Sequence, residues 1–170
     1  MKLTSLILEQ LDREAELTRR ALERVPEGKN DWKPHPKSMP LGMLAHMVAT
    51  MPSWISLIVN QDELDVKPKG NGSAAGASRS IDSTRKLVEA HDKAVMDARK
   101  TMAGITDEQL MTGWRLLEGG KVVEENPRYR FIFDNFTHLA HHRGQLTVYL
   151  RLNDEPVPAI YGPSADDHRF

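Results

Sequence analysis

From Leu3 to Val25 the apolar residues Leu3, Leu6, Ile7, Leu11, Leu17, Ala21, Leu22 and Val25 recur at three- and four-residue spacing, the period of a helix with one buried face. Pro26 and Gly28 end it. A second helix is expected to start near Ser38 to Pro40, where serine can cap and proline suits the first turn, and to run to about Val59. Its apolar stripe is Leu44, Met47, Met51, Ile55 and Ile58, with Trp54 alongside. Beside that stripe run Gly42, His46, Ala49, Thr50 and Ser53, small residues around one imidazole that read as room for a metal and its external ligand. Pro52 removes a backbone donor and should kink this helix. A third helix spans Ile81 to Met102, capped by Ser80 or Asp82, and directs His91 inward as a hydrogen-bonded core residue. Asn126-Pro127 opens a fourth helix that ends near Asn153.

The connections carry their own signals. EGKNDWKPHPKSMP is too proline-rich for a helix and should wrap the surface, leaving His35 exposed. Gln61 to Ser80 has no apolar period; it reads as a mobile crossing linker or as a lid over a site. MAGITDEQL gives a short turn capped at Thr106, and Thr112 to Glu125 folds around Gly119-Gly120 as a small β-hairpin before the last helix. The tail, DEPVPAIYGPSADDHRF, should pack along the helices through Val157, Ile160 and Tyr161, with His168 exposed.

Composition narrows the class. The 170 residues suit a single domain, 1–170, and 23 basic against 24 acidic side chains give a formal charge of −1. No basic run asks for nucleic acid or an anionic membrane. There is no cysteine, so disulfides, thiolate ligands and a cysteine nucleophile are excluded. Acidic residues appear too early for a signal-peptide core, and no run of about 18 apolar residues occurs, so the expectation is a soluble, cytoplasmic protein.

Three of the seven histidines fall within NFTHLAHHRGQLTVYL, Asn135 to Leu150. On a helix His138 and His142 project from one face one turn apart, about 40° around the axis, which is a chelating spacing. Phe131, Asn135, Gln145 and Tyr149 share that face. His141 points about 60° from His138 and about 100° from His142, so a third nitrogen is better sought on another helix, with His46 the best candidate. Gln10 and Glu14 lie near the middle of the first apolar stripe, where burial demands partners. They are either paired to an arginine or the bundle edge, or partners of a metal-bound histidine or water.

LGMLAHM, HLAHHRGQLTVYLR and VPAIYGPS, together with EGKNDWKPHPKSMPLG, resemble the DinB-like (YfiT-like) family of damage-inducible metalloenzymes over nearly the whole chain. The resemblance implies an all-α four-helix bundle of crossover topology, frequent homodimers, and one divalent metal ion held by His46, His138 and His142. Relatives of that kind include S-transferases using low-molecular-weight thiols such as bacillithiol, and a mycothiol-dependent maleylpyruvate isomerase. In the isomerase pattern a glutamate replaces one of the paired histidines; His138 stands there instead, which argues against that substrate. Three neutral imidazoles leave an open coordination position on a catalytic metal, and zinc heads the candidates, with nickel, iron or copper also suited to such ligands and manganese a further possibility. The expected function is thiol-dependent transfer to, or hydrolysis of, a small electrophile. Gln145, Tyr149, Asn135 and Glu14 are the expected contacts to substrate or ligands, with Arg143 as an anchor for the tail. The alternatives are a noncatalytic metal- or ligand-binding stress-response protein, and a bundle whose apolar faces serve dimerisation.

Overall fold

In the computed structural model, which describes residues 2–68 and 83–169, the second expected helix is two. The elements in order are α1 (Leu3–Leu22), α2 (Leu41–Thr50), α3 (Ser53–Asn60), β1 (Glu63–Asp65), α4 (Thr84–Ala103), α5 (Asp107–Leu110), β2 (Gly113–Glu118), β3 (Lys121–Pro127) and α6 (Arg128–Leu152). Among the described residues the chain is therefore mostly helical, with six helices and a three-stranded sheet. No single helix there is long and apolar enough to cross a membrane.

Pro52 separates α2 from α3 by a bend of 51°, because proline cannot donate the next helical bond. Two side-chain nitrogens from distant helices lie against carbonyls at the break. The Asn135 Nδ2 donates to Met51 O at 3.2 Å, and His91 Nδ1 lies 3.3 Å from Ala49 O. The bend divides the interior. Leu44, Ala45, Val48 and Met51 pack with the C-terminal half of α1, the start of α4 and Leu139, Leu146 and Leu150 of α6. Ile55 and Ile58 pack instead with Ile7, Leu11, Met102, Leu110, Trp114, Phe131 and Ile132.

His91 is buried, as its place on the third apolar stripe predicts, with Nε2 3.0 Å from Ala15 O. Burial pushes its pKa below the ordinary histidine value, outweighing the two carbonyls. A neutral ring has one N–H, so it can donate to only one of the two carbonyls at a time. The cap of α4 is Ser83, whose hydroxyl accepts from Lys86 N at 3.3 Å, rather than Ser80 or Asp82; those two and Ile81 lie outside the described residues.

The hairpin forms as expected, with Gly119 and Gly120 both at positive φ (61° and 81°) in its two-residue turn. What the sequence conceals is a third strand. β1, at the start of the stretch read as a linker or lid, pairs parallel with β2, so the hairpin becomes a sheet of order β1-β2-β3. Asp65 secures it, accepting from Gly119 N at 2.9 Å and Gly120 N at 2.6 Å. The rest of the linker-or-lid expectation, residues 69–80, lies outside the described residues.

The loop before α2 docks closely on it. A Cβ on Gly42 would stand 2.7 Å from Asn30 Oδ1, and Gly42 N donates to Asn30 O at 3.0 Å. Gly42 is small because a loop lies against it, and Ala49 because it is fully buried in the core. At Gly42, then, the room suggested by the sequence is taken by Asn30.

The first turn of α1 has no side-chain cap of its own. Asp107, at the N-terminus of α5, supplies one, accepting from Leu3 N at 2.8 Å and Thr4 N at 2.9 Å. These N–H groups, Thr4 first, hold the Asp107 pKa below 3.8. A depressed carboxylate pKa stabilises the fold above the unfolded value and loses that effect as pH falls through the folded one. Asp107→Ala therefore lowers the urea midpoint at pH 7 with an unchanged slope. The gap to wild type closes as pH falls below 3.8, which urea titrations across acidic pH would measure.

Candidate metal centre

The buried positions of α6 are Arg128, Phe131, Ile132, Asn135, Phe136, Leu139, Arg143, Leu146, Tyr149 and Leu150, the three-and-four rhythm of a helix lying on a core. His138 and His142 flank that stripe, the first exposed and the second half-buried. Their Nε2 atoms stand 2.8 Å apart. The spacing predicted from the sequence thus becomes an actual convergence of nitrogens.

A relay of side chains orients them. His142 Nδ1 lies 2.8 Å from Gln145 Oε1, and Gln145 Nε2 lies 3.1 Å from His141 Nε2. An amide oxygen only accepts, so His142 carries its proton on Nδ1 and presents the Nε2 lone pair toward His138. The amide nitrogen in turn donates to His141, which is exposed and positions Gln145 rather than joining the pair. Desolvation, then the proximity of His142 and His141, pushes the His138 pKa below the ordinary histidine value, so that imidazole is neutral at pH 7.

Two imidazole nitrogens sharing a tetrahedral ion at about 2.0–2.1 Å stand roughly 3.3 Å apart. The observed separation needs only a slight opening, and the pair fits. The third ligand is another matter. α2 packs on α6 and His46 is half-buried on it, yet among the described residues no three His, Cys, Asp or Glu side chains stand in a ligating group.

The remaining expected site residues have other work. Tyr149 is buried; its hydroxyl donates to Met39 O at 3.0 Å and its ring meets Trp32 edge-to-face at 5.5 Å, so it fastens the loop before α2. Asn135 holds the α2–α3 break, and it also lines a cavity of about 300 Å³ with His138. A larger hollow of about 700 Å³, lined by Ser56, Asp97, Lys100, Thr101 and Arg128 among others, opens elsewhere. Arg128 is already committed to Thr112, Gly113, Gln61 and Asp62.

Glu14 is 2% exposed and pairs with Arg143, 1% exposed, at 2.7 Å. Of the two readings of this acid, pairing to an arginine is the one the structure displays. The Tyr161 hydroxyl donates to Glu14 at 2.8 Å, Gln10 Nε2 donates to Glu14 Oε1 at 2.8 Å, and Arg143 also donates to Thr18 Oγ1 at 2.9 Å and to Tyr161. Desolvation, with the bond to Glu14, pushes the Tyr161 hydroxyl above its ordinary pKa and keeps it a donor. Arg143 is the tail anchor expected of it, through a tyrosine hydroxyl that an apolar reading of AIYG overlooked.

A DinB family model matches residues 1–169. Two solved structures are similar in fold. A DinB-like protein from Bacillus cereus has a TM-score of 0.68 at 20% identity, covering 91% of this chain and 95% of its own. A DinB-like protein from Bacillus subtilis has a TM-score of 0.65 at 15% identity, covering 88% and 92%. Comparison with curated proteins gives no significant match.

The ion pair sets a clear expectation. Arg143→Ala leaves a buried carboxylate with a tyrosine and an amide as partners, and destabilises the fold by about 3–5 kcal/mol. Replacing both partners by apolar residues, Glu14→Leu with Arg143→Met, costs far less than the two single losses added together. Chemical denaturation of the four proteins checks this.

Proposed function

Because the chain belongs to the DinB family, we propose that it is a metal-dependent enzyme in which His138 and His142 hold one divalent ion and His46 completes the set. The observation that carries this reading is the 2.8 Å approach of the two Nε2 atoms, with His142 held in its ligating tautomer by Gln145. In the same reading α1, the bent α2–α3 pair, α4 and α6 are the four members of a bundle of crossover topology. Zinc is the first candidate, with nickel and iron next, since imidazole suits all three, and manganese, which prefers oxygen ligands, last.

When bound, an ion held by three neutral imidazoles keeps an uncompensated charge and an open position, so a thiol or water arriving there loses its proton readily. The chain has no cysteine, so a thiol would come from a low-molecular-weight cosubstrate. The protein's own residues divide the remaining tasks. Gln145 orients His142. The cavity of about 300 Å³ beside His138, walled by Trp54, Trp114 and Phe131, receives a small electrophilic substrate.

Elemental analysis of protein prepared without a histidine tag tests the site. Wild type should carry one divalent metal per chain, and His142→Ala should lose it while keeping its helical spectrum. Gln145→Leu should weaken metal affinity about 10- to 100-fold. Full metal retention by His142→Ala would remove the assignment, and wild-type affinity in His46→Ala would remove His46 from the set. A screen of thiols and water against small electrophiles then separates transferase from hydrolase. Stoichiometric metal with no turnover in that screen would favour the noncatalytic, ligand-binding alternative.

A further inference from the structure

The cavity beside His138 is lined by groups of one electrostatic character. Glu124 and Asp134 stand exposed at its rim, and its walls are aromatic, with Trp54, Trp114 and Phe131. Among the described residues no lysine or arginine lines it. Its volume of about 300 Å³ lies at the lower end for small-molecule sites.

Neither carboxylate is tightly neutralised. Asp134 meets Arg130 at 3.5 Å with both side chains more than half exposed, a distance and a setting in which an ion pair is weak. Glu124 accepts from Asn126 Nδ2 at 2.8 Å, a neutral donor that leaves its charge in place. Such a mouth attracts cations and repels anions. Exposed acids alone would define no site. Asn135 supplies what they lack. It is 7% exposed, and its Nδ2 donates to Met51 O at 3.2 Å, which fixes which end of the amide is the oxygen. Asn135 Oδ1 has no donor among the described residues, and it is an accessible atom on a residue that lines the cavity. A molecule that displaces water from this acceptor must bring a donor of its own. The aromatic walls favour a positive charge on that donor, since a ring face attracts a cation.

We propose that this cavity binds a small organic ammonium ion, a protonated amine on an apolar stem, whose head donates to Asn135 Oδ1 beneath the carboxylates of Glu124 and Asp134 and whose stem lies against the aromatic walls. The inference deepens the function proposed above by giving the substrate a chemical class, and it rests on that reading only for the amine's being a reactant. Binding itself depends on the cavity alone. The two carboxylates select the sign of the charge, and Asn135 selects for a head that carries an N–H.

Butylammonium, 1-butanol and butanoate share a stem and differ in the charge of the head, so they serve as probes at neutral pH and low salt. With three tryptophans in the chain, an ¹⁵N-labelled sample gives three indole N–H signals, which Trp32→Phe and Trp54→Phe assign. Trp54 and Trp114 line the cavity, whereas Trp32 packs on Tyr149. Butylammonium should move the first two signals and leave that of Trp32, and bind about tenfold more tightly than 1-butanol, with butanoate weakest. Exchanging both exposed acids, Glu124→Gln with Asp134→Asn, should bring butylammonium and 1-butanol to near parity. Asn135→Leu should weaken both of these probes several-fold; should it not fold, the wild-type ranking and the rim exchange decide. Parity of butylammonium and 1-butanol in wild type, tightest binding by butanoate, a preference unchanged by the rim exchange, movement of the Trp32 signal alone, or binding of no probe would each overturn the proposal. Repeating the titration with His142→Ala separates the two readings. A preference retained there, in a protein whose wild type binds no metal, keeps the amine site and removes the metal. Parity in a wild type that binds metal does the reverse.

Discussion

The ion pair between Glu14 and Arg143 is the constraint on which the rest of the structure turns. Burying two charges is expensive, and their attraction offsets that cost only when the remaining donors and acceptors are met. Here they largely are. The carboxylate takes bonds from Arg143, Tyr161 and Gln10, and the guanidinium also reaches Thr18 and the Glu14 carbonyl. Arg143 Nε is the exception, buried with no partner among the described residues. The bonds bring together α1, α6 and the C-terminal tail, three segments far apart in sequence. They also fix how α6 is turned about its axis. Arg143 follows His142 directly, so once its guanidinium is locked against α1, each residue's direction follows at about 100° per step. The two imidazoles are then left at the margin of the core, where a small molecule can approach them.

A second constraint acts on the opposite wall. The break at Pro52 allows α2 to serve one apolar cluster and α3 the other, where one straight helix would direct a single stripe along both. His91 and Asn135 give the break its shape by meeting carbonyls around it. Asn135 lies one turn before His138, so the same helix that presents the imidazoles also holds the bend that brings Trp54 and Ile58 to the cavity. The shape of the cavity and the direction of the histidines are thus linked through α6.

How much of this was legible depends on the range of the interaction. The helices could be read because burial imposes a period on neighbouring residues, and the His138–His142 pair could be read because four-residue spacing on a helix is itself a geometry. The Gly119-Gly120 turn was readable for the same local reason. Partners distant in sequence leave no period. Nothing in a run of three residues announces β1, nor that Asp65 steadies a turn more than fifty positions later, nor that Asp107 caps a helix a hundred positions earlier. Glu14 shows the boundary between the two cases. An acid in an apolar stripe signals that a partner exists, but only the fold names Arg143 and Tyr161. Gly42 shows how a correct observation can suggest the wrong cause, since smallness can serve a docked loop as well as a ligand.

The imidazole pair has one further physical consequence. Two nitrogens 2.8 Å apart cannot both present lone pairs to each other without repulsion, so one must carry a proton between them. Gln145 directs the His142 proton to Nδ1, which leaves His138 as the donor in the resting pair. For both Nε2 atoms to serve a cation, His138 must move its proton to Nδ1, and the mutual hydrogen bond is lost. Affinity there is therefore the difference between two nitrogen–metal bonds and one nitrogen–nitrogen hydrogen bond, with a third ligand needed to raise it. The relay through Gln145 and His141 fixes one of the two tautomers beforehand, so that only a single proton would have to be relocated for both nitrogens to face a cation.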